Sequence, residues 1–246
     1  RAFAVAVRWG WLAANPASRA LRPAYKSTRP AMWDQAELDI FLAGTMEHWL
    51  YPLWLLLIAT GLRLGEALAL RWDNVSLDRT ALTIAGTLHY SGGGQWIINT
   101  PKTPSAARVV ALPPMITAAL AVQRARQDAQ RERAGGAWQE HGLVFTGEIG
   151  KPLYHSTIQH ALKRECTRLG LPAVTPHSLR HLHASLLIDS GVPITAVAAR
   201  LGHASPQITM RLYAHALSGQ DVAAAEAIAR VLASTPESDK GSNQPL

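Results

Sequence analysis

Between Ala81 and Leu112 the residue pattern changes character, and this one interval limits the folds open to the chain. Ala81 to Leu88, Gln95 to Asn99 and Arg108 to Leu112 are rich in Thr, Ile and Val, with turn signals at Ser91-Gly-Gly-Gly94 and Pro104-Ser105. That predicts a small three-stranded antiparallel sheet. Its surroundings read as helix. Asp34 and Glu37 have capping-box spacing ahead of the apolar face Leu38, Phe41 and Leu42, and a second helix covers His48 to Thr60 until Gly61 breaks it. Arg63 to Leu70 reads as a third, with Leu64 and Leu68 inward, and Pro114 to about Arg133 as a fourth. After the Gly135-Gly136 loop comes a short extended piece, Leu143 to Phe145. Ser156 is placed to cap a helix running to about Leu169, and Thr175 to cap the next, with Pro176 at its first position and Gly191 at its end. Pro193 to Leu201 reads as a short helix, and Ser205-Pro206 repeats the cap-plus-proline device for one containing Tyr213. The fold class is therefore mainly α with a small three-stranded antiparallel β-sheet.

A chain of 246 residues can bury a full core as one large domain or two small ones. Its 24 Lys+Arg against 17 Asp+Glu give a formal net charge of +7, which favours a polyanionic partner, nucleic acid first among them. Arginine dominates that excess and suits phosphate, because guanidinium can form two parallel hydrogen bonds to phosphate oxygens. The single cysteine, Cys166, excludes an intramolecular disulfide and a cysteine-based zinc site. The apolar run Leu50 to Ala59 is too short to span a bilayer and carries Pro52. A cytoplasmic protein is expected, nucleoid-associated when bound to DNA. Residues 1–30 carry six basic residues and no acidic one; Phe3, Val7 and Trp11 fit the end of an amphipathic helix stopped at Asn15-Pro16, followed by a linker from Ser18 to Pro30. The chain opens on Arg1 within that helical pattern, so a fragment of a longer protein is expected.

The strongest local signal is His177-Ser-Leu-Arg180-His181, followed by Leu201-Gly-His203 and then Tyr213. Upstream stand Gly61-Leu-Arg63-Leu-Gly65-Glu66 and Thr100-Pro-Lys102, with Arg108 six residues later. Each piece alone is weak, but the ordered set, from about Trp33 to Ala216, resembles the tyrosine recombinase (phage integrase) family. The wording around His183-Ala-Ser-Leu-Leu187 and Leu201-Gly-His-Ala-Ser205 is most similar to integrases of phages and conjugative transposons. The resemblance implies the recombinase catalytic-domain fold and site-specific DNA recombination or integration through a 3′-phosphotyrosyl intermediate. It also implies a partition into the end of a core-binding domain plus linker (1–30), a catalytic domain (31–218), and a C-terminal helix with a disordered tail (219–246).

The chemistry can be argued from the side chains themselves. Transferring a DNA phosphodiester builds charge on the non-bridging oxygens, and two guanidiniums aimed there, Arg63 and Arg180, would stabilise it by preorganised electrostatics. The plainer alternative for Arg63 is a surface arginine, although its position between Gly61 and Gly65 in an apolar stretch speaks for a partner, and Glu66 is one turn away. A tyrosine hydroxyl, of reference pKa about 10, needs a base or a positive field to attack at neutral pH. Tyr213 is the candidate nucleophile, His177 the candidate base one turn before Arg180, and His203 a hydrogen-bond donor near the phosphate. The bland reading of Tyr213 is a core aromatic beside Ile208 and Leu212. The resemblance implies that Lys102 delivers a proton to the departing 5′ oxygen, with Lys151 as the rival, and that His181 supports the site. His183 is read as packing, and His48, His89, His141, His155 and His160 as structural.

A metal hydrolase is the first competing reading, because His177 and His181 have i, i+4 spacing; Ser178 stands where a zinc-protease helix has Glu, and neither metal nor other cofactor is expected. A non-catalytic DNA-binding protein and a type IB topoisomerase are the others. The expected partners are double-stranded DNA and further copies of the chain, as a tetramer on two duplexes. The alanine-rich helix Asp221 to Ala233 is the candidate contact in that tetramer, packing on its own domain being the alternative. No membrane association is expected.

Overall fold

The computed structural model describes residues 2–20, 32–91, 95–100 and 107–203. The chain divides into two units, Arg1–Pro30 and a second beginning at Ala31. In the first, helix α1 (Ala2–Arg8) buries no side chain, and Asn15 caps a short 3-10 helix over Pro16–Arg19 by accepting from the Ala17 N–H. The helix expected to run to Asn15-Pro16 thus ends at Arg8, ahead of Gly10, and Trp11 stacks edge-on against Trp9, with ring centroids 4.9 Å apart.

The second unit opens with the capping box read from the sequence. Asp34 accepts from the Glu37 N–H and Glu37 from the Asp34 N–H, both at 2.9 Å, at the start of α2 (Gln35–Thr45). α3 (Tyr51–Thr60) forms the centre of the core and packs on α2 and on two later helices, α5 (Pro114–Ala134) and α7 (Pro176–Asp189). Its Pro52 sits in the first turn, where no intrahelical donor is lost. Leu53, Trp54, Leu56 and Leu57 are wholly buried, with Trp33, Phe41, Trp54 and His48 ring on ring beside them. Burying a side chain such as Phe41 contributes roughly 1.5–3 kcal/mol. The short α4 (Leu64–Leu68) follows.

The β region is more divided than its sequence indicates. A three-stranded antiparallel sheet is present, but its order is β1 (Val75–Ser76), β2 (Ala81–Ile84), β5 (Arg108–Ala111), while β3 (Thr87–Tyr90) and β4 (Trp96–Asn99) pair as a separate hairpin. The segment Ala81 to Leu88, read as one strand, is interrupted at Ala85-Gly86. A Cβ on Gly86 would lie 2.5 Å from Ile98 Cγ2, so only glycine lets the backbone pass this close to β4 as it leaves one sheet for the other.

α5 (Pro114–Ala134) carries two buried glutamines that serve the extended piece Leu143 to Phe145. Gln123 donates to the Val144 carbonyl at 2.8 Å and Gln127 to the Leu143 carbonyl at 2.9 Å, groups that no regular sheet satisfies. α6 (His155–Arg168) has Tyr154, not Ser156, at its N-cap. α7 (Pro176–Asp189) starts as expected, with Thr175 and Ser178 exchanging side-chain to backbone hydrogen bonds of 3.1 and 3.2 Å. α8 (Ile194–Leu201) ends on Gly202. The helices expected around Tyr213 and over Asp221 to Ala233 lie outside the described residues, and among those described no helix is long and apolar enough to cross a membrane. The result is a mostly helical fold with small antiparallel sheets.

Candidate active site

Two helices end side by side on left-handed glycines. α3 stops at Gly61 (φ 65°) and α8 at Gly202 (φ 67°), and each cap turns the chain sharply toward a candidate residue, Arg63 and His203. Neither position has room for a side chain: a Cβ on Gly61 would lie 2.6 Å from His183 and from Leu201, and one on Gly202 2.6 Å from Arg108 Nη1. Between these ends lies the Arg180 guanidinium, only 3% exposed, donating from Nη1 to the Gly61 carbonyl at 2.6 Å and from Nη2 to the Leu201 carbonyl at 2.7 Å. Each helix C-terminus presents about half a negative charge, so the buried cation is met by two favourable dipoles. Each of those carbonyls lies two residues before Arg63 or His203, which makes Arg180 the tie that fixes both.

Arg63 is half exposed and held by Glu66: its backbone N–H donates to Oε2 at 3.0 Å and its Nη1 to Oε1 at 2.8 Å. Glu66 is buried and also receives Arg108, through Nη2 to Oε2 at 3.1 Å and Nη1 to Oε1 at 3.4 Å. Burial works against the charged carboxylate, but the hydrogen bonds and charge of Arg108, with the bonds from Arg63, outweigh it and keep Glu66 below the ordinary carboxylate range.

The histidines share one electrostatic environment. His203 is lowered from 6.5 to about 4, by burial first and then by Arg180, Arg63, Arg108 and His181. His177 is lowered by loss of hydration on its packed side, then by Arg180 and Arg63; His181, whose ring meets that of His177 edge-on at 4.5 Å, by burial, His177 and Arg180. At neutral pH His203 is therefore an uncharged ring able to donate one hydrogen bond and accept another. An unprotonated His177 is the form a general base requires.

Arg63, Glu66, His177, Arg180, His181 and His203 are thus brought together by the fold. Lys102 and Tyr213 lie outside the described residues. Lys151 is exposed at a turn closed by a 2.8 Å bond from the Gly147 N–H to its carbonyl. Among the described residues no three His, Cys, Asp or Glu side chains stand close enough to hold a metal ion. His183 packs, as read, and also works: buried at 5%, its Nδ1 donates to the Ile58 carbonyl at 2.9 Å while Nε2 accepts from Arg200 Nε at 3.2 Å. Burial, then the charge of Arg200, lowers it to about 4. Arg108 was quoted in the sequence pattern without a role, and Arg200 was not singled out by sequence. Arg200 Nη2 also donates to Ala59 (3.1 Å) and Ala111 (3.2 Å), and its own carbonyl accepts from Arg108 Nε at 2.7 Å. The signals were adjacency, Arg200 just before Leu201-Gly-His203 and Arg108 at the start of a strand, six residues after Lys102.

Arg63 and Arg180, with His177, His181 and His203 in their field and with Glu66 and Arg108 behind Arg63, form a site suited to an anion with several oxygens. Comparison with known proteins identifies the family. Residues 35–219 match the phage integrase family. A XerC-like tyrosine recombinase of Caldanaerobacter subterraneus is 29% identical over 92% of this chain and 62% of its own length. An integrase of Streptomyces ambofaciens is 32% identical over 63% of the chain and 42% of its own length. The chain therefore spans about two fifths to three fifths of these relatives. The Tn1549 transposon integrase, solved in complex with transposon right end DNA, superposes with a TM-score of 0.76 at 21% identity, covering 94% of this chain and 76% of that one. By sequence pattern, order of site residues and fold, the chain belongs to the phage integrase family of tyrosine recombinases.

Proposed function

We propose that the protein is a site-specific DNA recombinase that cleaves and rejoins strands of double-stranded DNA through a 3′-phosphotyrosyl intermediate. The observation that carries this reading is the buried Arg180 guanidinium, tied to the Gly61 and Leu201 carbonyls so that Arg63 and His203 flank it, with His177 one turn away on α7. Such an array suits the charge that builds on non-bridging phosphate oxygens, because its donors are oriented before the reaction begins. The Tn1549 relative was solved on DNA, and the net charge of +7 agrees with a polyanionic partner.

In the proposed step the Tyr213 hydroxyl attacks phosphorus while His177 takes its proton. The bond from phosphorus to the 5′ oxygen breaks, and Lys102 protonates the leaving oxygen. That hydroxyl, or one from a second duplex, then attacks the phosphotyrosyl bond and releases Tyr213. The phosphodiester bond energy is kept in the covalent link, so the cycle runs without ATP. Residues 1–30 are taken as the end of a core-binding domain with its linker, 31–218 as the catalytic domain, and 219–246 as a C-terminal segment. Its 221–233 part is the candidate contact within a tetramer on two duplexes, and the enzyme would work in the cytoplasm on nucleoid DNA.

The test is a nicked duplex carrying the attachment site of the encoding element, incubated in EDTA with wild type and with Tyr213→Phe and resolved on a denaturing protein gel. A shifted, nuclease-sensitive band from wild type alone is expected. A band of equal strength from Tyr213→Phe would reject Tyr213 as nucleophile, and no band from wild type would reject cleavage.

A further inference from the structure

We propose that Arg108 is a positioning residue that sets the separation between Arg63 and His203; the inference deepens the recombinase reading above and rests on it for its catalytic consequence. One guanidinium at the first position of β5 bonds toward both sides of the site. Toward α4 it takes both oxygens of Glu66, at 3.1 and 3.4 Å, and those same oxygens hold the Arg63 backbone and guanidinium. Toward α8 its Nε donates to the Arg200 carbonyl at 2.7 Å. Its Nη1 lies so close to Gly202 that a Cβ there would approach to 2.6 Å. The turn carrying His203 therefore rests on the face of the Arg108 side chain.

β5 is fastened to the same residue at its other end. Arg200 accepts from Arg108, the first residue of the strand, and donates from Nη2 to the carbonyl of Ala111, the last. The guanidinium plane is what allows Arg108 to serve both neighbours at once. Nε points to α8 and the paired Nη groups fork onto a carboxylate, a division that a lysine ammonium cannot reproduce. The contact of Arg108 with Arg63 runs through Glu66 and that with His203 through backbone, so it acts on the reacting groups by placing them.

Arg108→Lys is the discriminating variant because it keeps the positive charge and loses the fork. Two readouts are needed on the full-length protein. The first, independent of activity, is the titration of the His203 ring by NMR of histidine-labelled protein. With charge conserved, movement of the turn exposes the His203 ring to water and takes it away from Arg180 and Arg63, which raises its midpoint from about 4 toward 6.5. The second is the single-turnover rate of covalent complex formation on the nicked duplex, beside the DNA Kd. Loss of two charge-assisted bonds slows cleavage about tenfold or more while Kd changes less than about threefold. Arg108→Lys combined with Glu66→Gln relieves the under-paired buried carboxylate and guards against a folding defect. If both act through one chain of contacts, the double variant is no slower than the slower single. An unchanged His203 midpoint, or rate losses that multiply in the double variant, overturns the proposal. A raised midpoint in a protein whose wild type forms no covalent complex would reject the recombinase reading and leave the positioning role standing.

Discussion

Acid should loosen this fold through one histidine in particular. His183 is 5% exposed, donates to Ile58 and accepts from Arg200 Nε, an arrangement only the neutral ring can make; protonation would set a second donor against a guanidinium. Its pKa falls from 6.5 to about 4, through burial and then the charge of Arg200. In the unfolded chain the ring protonates near 6.5, so between these values the unfolded state binds a proton that the folded state refuses. The stabilising contribution is therefore complete above about pH 6.5 and is lost as pH falls toward 4, at about 1.4 kcal/mol per pH unit and about 3 kcal/mol in all. Urea unfolding, followed by tryptophan fluorescence at pH 7.5 and 4.5, should be compared between wild type and His183→Gln, which can donate and accept without titrating. The variant loses stability at pH 7.5 through imperfect packing, but its further loss at pH 4.5 is smaller than that of wild type by about 2.5 kcal/mol. Every other titrating group cancels in that comparison. A difference between the two proteins that stays constant from pH 7.5 to 4.5 refutes the assignment.

Two further substitutions probe the site. Arg180→Ala removes the central donor, and single-turnover cleavage should fall on the order of 100- to 1000-fold while DNA affinity falls much less; equal losses in both would count against a transition-state role. Gly202→Ala forces a side chain into a left-handed backbone against Arg108, costing about 1–3 kcal/mol and lowering Tm by roughly 3–10 °C in a scanning melt, and an unchanged Tm would contradict the packing described.

Local signals carried far along this chain. Asp34 with Glu37, Thr175 with Pro176, and Gly191 each marked a helix boundary found in the structure, because capping depends on residues within one turn. Arg63, His177, Arg180 and His203 were legible for a different reason, the order of short motifs shared with a family. The misreadings involve contacts from far away in sequence. Ala81 to Leu88 has the composition of one strand, and only the approach of Ile98 to Gly86 reveals two. Ser156 has the chemistry of a cap but lies inside α6, since the helix begins after Tyr154. Arg108 stood in the sequence pattern without a role and Arg200 escaped notice, because an arginine binding a carbonyl 92 positions away leaves no trace in its neighbours. What the two do emerges only when β5 is laid against α8.

The placement of Arg180 between two helix ends bears on how the site comes into being. The Gly61 and Leu201 carbonyls point at the guanidinium only when α3 and α8 have each completed their last turn. Fraying of either end and loss of the clamp are then a single cooperative event. The backbone amides of Gly61 and Gly202, which close those turns onto Leu57 and onto Ala198 and Ala199, should exchange with solvent together. A half-folded chain, with its net charge of +7, would attract a polyanion while presenting no formed clamp to a phosphate, so folding itself would act as the safety on the proposed strand cleavage.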